Sequence, residues 1–572
     1  MRFEAKLRRL NKLSSFIHSR YPAAVASGLL LATAFPIAGA LPRGGGLAGF
    51  AWIAPAALLA SAAGRKGGET FRIGYVGGLA SYLVLLHWLV FMPVAGLPIL
   101  AWTGLSAYLA LYPATWVWVS MNFLAPKLPG RNPSDVRSFG AAILEAGWGA
   151  RLGWAIASAA LWVALEMTVT RLMGGFPWNL LGISQWQQVP LVQVASITGV
   201  FGVSFVVAWT SVALLCATAA VVLRSTDRHA WMGEIILPLM AVLGLCAWGI
   251  HHIRRAPPPG RDLRVALVQP SIPQTMIWDT NEDAVRFREV LELSRQAVEN
   301  KPSLLLWPES ALPEMLRYHQ SSYDAVTGLA RTNQVWMILG SDDCEAAGAS
   351  SGPDDVLYYN SSFLISPDGR LAAQYRKEQL VIFGEYVPLK HVLPFLRYFT
   401  PIEGGFTPGR EATPFYLNDL GVNASVLICF EDTFPELART HADADTDLLV
   451  NLTNDGWFRE SAEQWQHAAA SVFRAVENGI PLIRCCNNGI TCWIDSHGML
   501  REVFTDKKGS VYGPGFGEFN VSLRAAGGNA ATTYYHQHGD VFGWACAGAA
   551  ALAIVAGQVR RVLSRREAES WK

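Results

Sequence analysis

Long apolar stretches constrain the fold of this 572-residue chain more than any other feature. Most of them fall in the first 256 positions, and one more follows after a long gap. They lie near residues 21–41, 47–63, 73–94, 97–124, 153–173, 194–223, 232–250 and 539–557. A helix needs ~20 mostly apolar residues to cross a bilayer. Because 51% of all residues are hydrophobic and only 16% are charged, the sequence predicts an α-helical polytopic membrane bundle with eight transmembrane helices. The sixth stretch is long enough to contain two segments.

Basic residues predict how the chain is oriented in the membrane. Lys and Arg cluster at both ends of the chain and in alternate short loops, at 2–12, 65–72, 127–137, 224–228 and 560–566. Loops rich in Lys and Arg stay in the cytoplasm, so both termini are expected there and the number of crossings must be even. A cleaved signal peptide over residues 1–40 is the alternative, because a basic start and an apolar run precede Ala-Gly-Ala. Cleavage would leave an odd number of crossings.

The gap between the seventh and eighth stretches has a different character. Short β-type runs alternate there with polar helical stretches, which indicates one α/β domain. We therefore expect a transmembrane domain with seven helices at 1–256, an exported domain at 257–530, and the eighth helix with a cytoplasmic tail at 531–572. A net charge of +1 without a basic stripe argues against a nucleic-acid partner.

Three polar residues in the exported domain follow apolar or strand-like runs. Glu309 follows LLLWP, Lys377 follows LAAQYR, and Cys429 is the next-to-last residue of SVLICF. A thiol is mostly protonated at neutral pH and needs a base to become a nucleophile. Glu309 can be that base, and a fixed ammonium on Lys377 can stabilise a thiolate and an oxyanion. These residue types make a workable set for acyl transfer.

Longer motifs around these residues resemble a known superfamily. WPES at 307–310, YRKEQLVIFGEYVP at 375–388 and ICFED at 428–432 occur in the order found in the carbon-nitrogen hydrolase (nitrilase) superfamily. That resemblance implies a Glu, Lys, Cys triad on an αββα sandwich. With the apolar stretches, GFPWNLLGISQ at 175–185 and NLTNDGWF at 451–458, essentially the whole chain resembles the bacterial apolipoprotein N-acyltransferase family.

The resemblance implies a role for each of these residues. Glu309 would be the general base, Lys377 the oxyanion-stabilising residue and Cys429 the nucleophile, while Glu385 and Glu431 match further acidic positions of the family's site. Phe430 stands where many relatives carry an aromatic hydroxyl, so the hydrogen bond of that hydroxyl is not expected here.

The family resemblance also implies the substrates and the location. An acyl chain of a membrane phospholipid would pass to the cysteine as a thioester and then to the N-terminal amine of diacylglyceryl-cysteine in an apolipoprotein, with ping-pong kinetics. The protein would be a monomer in the bacterial inner membrane, with its catalytic domain in the periplasm. The alternatives are a membrane-tethered amidase for small amides or nitriles, and a transporter or sensor with a degenerate binding domain.

Aromatic residues are candidates for keeping water from the thioester and for lining a path for lipid. They are Trp178, Trp278, Trp307, Phe395, Phe430 and Trp457. Residues 391–406 are predicted either to form a loop that dips toward the membrane or to pack in the core. No metal or nucleotide cofactor is expected, because His467 lacks partners at ligand spacing in the sequence and no phosphate-binding loop occurs. Glu166 and Arg171, in the fifth stretch, are expected to form an ion pair.

Overall fold

The computed structural model describes residues 20–37, 44–94, 97–126, 136–223, 229, 231–258, 260–347, 356–387, 405–525 and 532–570. Helices α1 to α11 precede the α/β domain and are Tyr21–Thr33, Ala54–Ser61, Gly68–Leu85, Leu97–Leu109, Leu111–Val119, Val136–Glu145, Trp148–Val169, Val189–Val192, Ala195–Thr198, Val200–Leu223 and Met232–Arg254. Short 3₁₀ turns lie among them at Ala48–Trp52, His87–Phe91, Leu172–Gly174 and Leu181–Gln185, with a π-helical turn at Ser120–Leu124.

Four helices in the described part of the chain are long and apolar enough to cross a membrane. They are α7, α10, α11 and residues Val541–Val559 of the last helix. The eight crossings stay a prediction. The sixth apolar stretch is divided, because Gly199, with φ of +65°, separates α9 from α10. That backbone conformation suits glycine, which has no Cβ to clash.

Close backbone approach holds the first helices of the bundle together. A Cβ on Gly28 of α1 would lie 2.0 Å from the carbonyl oxygen of Gly77 in α3. Small residues at such crossings let helices pack backbone to backbone, as is common between membrane helices.

The expected ion pair between Glu166 and Arg171 does not form. Residues five apart do not share a helix face, and Arg171 lies beyond the end of α7. Arg171 instead pairs with Asp540, just before the last helix. Glu166 accepts hydrogen bonds from Trp162 Nε1 at 2.9 Å and from the backbone N–H of Leu181 at 2.7 Å.

The α/β domain contains two six-stranded sheets. Strands β1 to β12 are Arg261–Gln269, Leu304–Leu306, Trp336–Ala346, Val356–Ile365, Leu371–Arg376, Pro414–Leu417, Val422–Ile428, Leu448–Thr453, Leu482–Cys486, Cys492–Ile494, Leu500–Val503 and Gly515–Leu523. Helices α12 to α18 are Gln274–Ile277, Asp283–Ala297, Gln320–Asn333, Pro435–His441, Glu463–Asn478, Tyr534–His538 and Val541–Ser570. Short 3₁₀ turns lie at Thr280–Glu282, Asn418–Leu420, Cys429–Thr433 and Asp455–Phe458.

The two sheets pack face to face. The strand order is β12-β1-β2-β3-β4-β5 in the first sheet and β11-β10-β9-β8-β7-β6 in the second. Strand β1 shows the layering, because Val265 and Leu267 enter the core between the sheets while Ala266 and Val268 face the core under α13 and α14. Alternate residues of a strand point to opposite faces. The architecture is the αββα sandwich that the family resemblance implied.

Helix α16 joins the sandwich to the membrane helices. All 16 of its residues are buried, although many are polar. Trp465 packs so closely under the chain after α1 that a Cβ on Gly44 would lie 1.9 Å from the indole ring. At the other end, Glu477 Oε1 accepts a hydrogen bond of 2.8 Å from the backbone N–H of Val200, at the start of α10. The outer helix layer of the second sheet is therefore also part of the contact with the bundle.

Candidate active site

The three residues of the predicted triad lie just beyond the ends of strands. Glu309 follows β2, Lys377 comes directly after β5, and Cys429 comes directly after β7. Side chains just beyond strand ends are held by the sheet while they remain outside its hydrogen-bond ladder. Both sheets contribute, because β2 and β5 belong to the first and β7 to the second.

Lys377 lies between two carboxylates in the interior. Its Nζ donates to Glu385 Oε1 at 2.8 Å and to Glu309 Oε1 at 3.3 Å, and the lysine is only 1% exposed. Asn360 Nδ2 donates to the same two oxygens, at 2.9 Å and 2.8 Å. Burial disfavours the ammonium, but the carboxylates of Glu385 and Glu309 outweigh it and raise the pKa of Lys377 well above its usual range.

Glu309 is also held from the second sheet. Its Oε2 accepts a hydrogen bond of 3.0 Å from the backbone N–H of Asn454, which follows β8. The carboxylate is therefore fixed from both sides of the sandwich, and it is 7% exposed. A base that is held in this way loses little conformational entropy when it reacts.

Cys429 occupies a strained turn at the end of β7. Its φ of +53° lies in the left-handed region, which is uncommon for a residue other than glycine and is often found at functional sites. Asn451 Nδ2 donates to its carbonyl oxygen at 2.9 Å, and the backbone N–H of Ile428 donates to Glu431 Oε2 at 2.7 Å. These contacts hold the turn.

Burial and the neighbouring charges favour the protonated form of the Cys429 thiol. Burial and the carboxylate of Glu309 raise the pKa of the Cys429 thiol well above its usual range, while the Lys377 ammonium acts in the opposite direction. A proton must therefore leave the sulfur before it can attack. The nearby carboxylate can accept that proton, so the arrangement suits acyl transfer through a thioester.

Glu385 and Glu431 both brace the site. Glu385 Oε2 accepts from the backbone N–H of Val381 at 2.7 Å. Glu431 accepts from Tyr375 and from the backbone N–H groups of Glu378 and Gln379 at 2.8 Å and 3.0 Å, besides the bond from the turn at Cys429. Burial raises the pKa of Glu431. Its carboxylate ties the turn to the segment after Lys377.

The aromatic candidates fall into separate places. Trp178 belongs to the membrane part of the chain, which is the transmembrane domain predicted at 1–256. Its ring stacks on that of Phe430 with ring centroids 6.2 Å apart. Trp278 and Trp457 form a second, edge-to-face pair at 5.1 Å. Trp307 instead lies in the core between the first sheet and its helices, where Nε1 donates to Ser294 Oγ at 2.8 Å. Phe395, with residues 391–404 of the predicted loop, lies outside the described residues.

His467 does have partners, contrary to the expectation from the sequence. Asp455, Glu463 and His467 each bring one ligand atom within 4.8 Å of the others, a spacing that could hold a metal ion. Four positions separate Glu463 from His467 on α16, whereas Asp455 comes from the loop after β8. Arg484 lies against the carboxylates of Asp455 and Asp432.

The charged groups of this cluster pair with one another. His467 Nε2 lies 2.7 Å from Asp432 Oδ1 and Nδ1 lies 3.0 Å from Asp455 Oδ1. Burial opposes the imidazolium, but these carboxylates raise the pKa of His467 to about 10, and a protonated ring has no lone pair for a metal. Burial also raises the pKa of Glu463 well above its usual range. The remaining carboxylates thus face the imidazolium and Arg484.

Several contributors to the site were not predicted from the sequence. Asn360, within β4, and Tyr375, within β5, bind the acidic residues, and Asn454 supplies a backbone donor. For Asn360, the available signal was an amide side chain at the start of the predicted strand NSSFLIS. Gln466 on α16 is a further unpredicted residue, with contacts to the membrane part.

Family models match both the helical part of the chain and the α/β domain. The carbon-nitrogen hydrolase model matches residues 264–514, and the model of the apolipoprotein N-acyltransferase N-terminal domain matches residues 27–213. A solved amidase of the nitrilase superfamily from Nesterenkonia AN1 aligns at 19% identity and a TM-score of 0.34, over 46% of this chain and 92% of the amidase.

Curated relatives extend over more of the chain. An apolipoprotein N-acyltransferase from Nitrosomonas europaea is 32% identical over 76% of this chain and 78% of its own length. Another, from Geobacter metallireducens, is 36% identical over 94% of this chain and 95% of its own length. This chain therefore belongs to the apolipoprotein N-acyltransferase family.

Proposed function

We propose that this acyltransferase moves an acyl chain from a membrane phospholipid to the N-terminal amine of diacylglyceryl-cysteine in apolipoproteins. One observation carries the proposal beyond the family name. Trp178, from the membrane part, stacks on Phe430, the residue directly after Cys429. The proposed nucleophile therefore adjoins an aromatic wall to which the segment after α7 contributes Trp178, which suits a substrate with long apolar chains.

The proposed arrangement in the membrane follows from the apolar stretches of the sequence and from its basic residues. Eight helices cross the inner membrane, both termini lie in the cytoplasm, and residues 257–530 form the periplasmic catalytic domain of a monomer. The buried contact along α16 supports a catalytic domain that rests directly on the bundle. Phospholipids of the outer leaflet could then reach the thiol without crossing water.

In the first half of the proposed reaction, Glu309 accepts the proton of Cys429 Sγ. The thiolate attacks the ester carbonyl of the phospholipid, and the Lys377 ammonium stabilises the oxyanion that develops. The bond from the carbonyl carbon to the glycerol oxygen breaks, and that oxygen takes the proton from Glu309. The products are an acyl thioester on Cys429 and a lysophospholipid.

In the second half, the neutral amine of diacylglyceryl-cysteine attacks the thioester carbonyl. Glu309 accepts a proton from the attacking nitrogen, the C–S bond breaks, and the proton passes to the departing sulfur. An amide forms and the thiol is restored. Because the two substrates enter in turn, the kinetics are expected to be ping-pong.

The test is transfer of a labelled acyl chain from phosphatidylethanolamine to a diacylglyceryl lipopeptide. We expect transfer by the wild-type chain and none by Cys429→Ala. A small amide offered in parallel measures amidase activity at the same site. Transfer by Cys429→Ala at the wild-type rate would refute the mechanism, and amide hydrolysis without lipid transfer would favour the amidase.

A further inference from the structure

Gln466 connects the catalytic domain to three separate segments of the membrane part. Its Oε1 accepts hydrogen bonds from Trp88 Nε1 at 3.1 Å, Trp178 Nε1 at 2.8 Å and Asn179 Nδ2 at 3.0 Å. Its Nε2 donates to the carbonyl oxygen of Pro36 at 3.2 Å. The side chain is 3% exposed, so these partners replace water for all of its polar atoms.

The donors to Gln466 form the wall beside the proposed nucleophile. The Trp88 and Trp178 rings lie 5.2 Å apart, and Trp178 stacks on Phe430. Asn179 has a φ of +53°, a left-handed conformation that needs local support. One amide oxygen therefore fixes the orientation of two indole rings and of a strained residue next to one of them.

Gln466 does not act on the triad by any contact that the described residues show. Glu309 accepts from Lys377, Asn360 and the backbone of Asn454. The turn at Cys429 is held by Asn451 and Glu431. Loss of Gln466 should thus disturb the wall and leave the nucleophile in place. Without the Gln466 oxygen as acceptor, the buried N–H groups of Trp88, Trp178 and Asn179 would have to reorient, because an unsatisfied buried donor is costly.

We propose that Gln466 is a positioning residue for the lipid substrate, which holds the Trp88 and Trp178 rings in the orientation that receives the acyl chain next to Cys429. The proposal rests on the proposed function, since it assumes that a phospholipid acylates Cys429. Gln466 would then affect how the lipid binds and leave the reactivity of the Cys429 thiol unchanged. The variant Gln466→Met keeps the length of the side chain and removes the acceptor.

Two reactions of Cys429 in the full-length protein test the proposal. The first is acylation by labelled phosphatidylethanolamine in mixed micelles without acceptor, measured over a range of phospholipid concentrations. The second is alkylation by iodoacetamide, followed by mass spectrometry of the peptide that contains Cys429.

For Gln466→Met we expect phospholipid acylation to fall about tenfold, mainly through a higher half-saturating concentration, because the Trp88 and Trp178 rings lose the acceptor that orients them. A tenfold change corresponds to about 1.4 kcal/mol of binding. Alkylation should stay within about twofold of wild type, since the turn is unchanged.

Two further variants complete the test. Gln466→Glu restores an acceptor oxygen, so its Cys429 should be acylated by phospholipid faster than that of Gln466→Met. This variant also keeps the test possible if Gln466→Met does not fold. Gln193→Met is the matched control, because Gln193 is a buried glutamine that likewise bridges the two parts, with Nε2 2.7 Å from the carbonyl oxygen of His497. It should acylate like wild type.

The outcomes separate this proposal from the proposed function. Equal losses of acylation and alkylation in Gln466→Met, unchanged acylation, or a Gln466→Glu variant no better than Gln466→Met would each overturn the positioning role. An equal loss in Gln193→Met would show a general effect of the interface and would also overturn it. If the wild-type chain takes no acyl group from phospholipid, the proposed function itself fails.

Discussion

Replacing Lys377 with methionine should affect stability and catalysis by separable amounts. The substitution removes a buried ammonium 2.8 Å from Glu385 Oε1 and 3.3 Å from Glu309 Oε1, and leaves the two carboxylates with Asn360 as a shared donor. Removing one partner of a buried ion pair costs about 3–5 kcal/mol. We expect the free energy of unfolding to fall by that amount. Thioester formation should fall at least about 10²-fold, the usual effect of losing an oxyanion donor.

A second substitution separates the two effects. In Lys377→Met with Glu385→Gln, one of the uncompensated charges is gone, so about 2 kcal/mol of stability should return. Glu309 keeps its contacts with Asn360 and Asn454, but the site still lacks a positive charge for the oxyanion. Thioester formation should therefore remain as low as in Lys377→Met alone. Glu385→Gln alone serves as the control for loss of this carboxylate.

The assay measures both quantities on the same detergent-solubilised samples. Thermal unfolding gives the order of stability, and incubation with labelled phospholipid gives the rate of thioester formation. Recovery of thioester formation together with stability in the double variant would refute the reasoning. Lys377 would then serve only to balance charge within the fold.

Three other substitutions or titrations give further tests. Glu431→Gln should lower stability by about 1.5–3 kcal/mol, the value of one charge-assisted hydrogen bond, and should slow Cys429 alkylation because the turn loosens; unchanged alkylation would contradict the bracing role. Since the pKa of His467 is raised from 6.5 to about 10 on folding, its stabilising effect is complete below about pH 6.5 and is lost toward pH 10. The unfolding temperature should fall across that window, and a His467→Gln variant with the same slope would contradict this. Because the pKa of Cys429 is raised, its alkylation rate should rise continuously between about pH 7 and pH 9, and a plateau in that range would contradict a protonated thiol.

The sequence was most informative about the candidate site residues that lie just beyond strands. Glu309, Lys377 and Cys429 could be proposed because each follows a short apolar or strand-like run, and local sequence determines where such runs end. Their mutual arrangement required the family resemblance. Strand spacing alone does not say that Lys377 lies between Glu309 and Glu385.

Contacts between distant segments could not be predicted in this way. Trp88 and Gln466 are separated by 378 positions, and nothing in either local sequence indicates the other. Helix α16 carries Glu463, Gln464, Arg474 and Glu477 on several faces, a pattern typical of a solvated helix. It is buried because the sheet lies on one side and the membrane helices on the other. Trp307 likewise was expected near the thioester, but its ring lies in the core on the outer face of the first sheet.

The central claim is that Cys429 carries the acyl group between two lipid substrates. The most direct measurement is mass spectrometry of the Cys429 peptide after incubation of the full-length protein with phospholipid alone, and again after adding a diacylglyceryl lipopeptide. The account predicts one acyl group on Cys429, removable by hydroxylamine as a thioester, which disappears as the lipopeptide gains the same acyl chain. Acyl transfer to the lipopeptide with an unmodified Cys429 at every time point, or an acyl group on Cys429 that the lipopeptide does not remove, would contradict it.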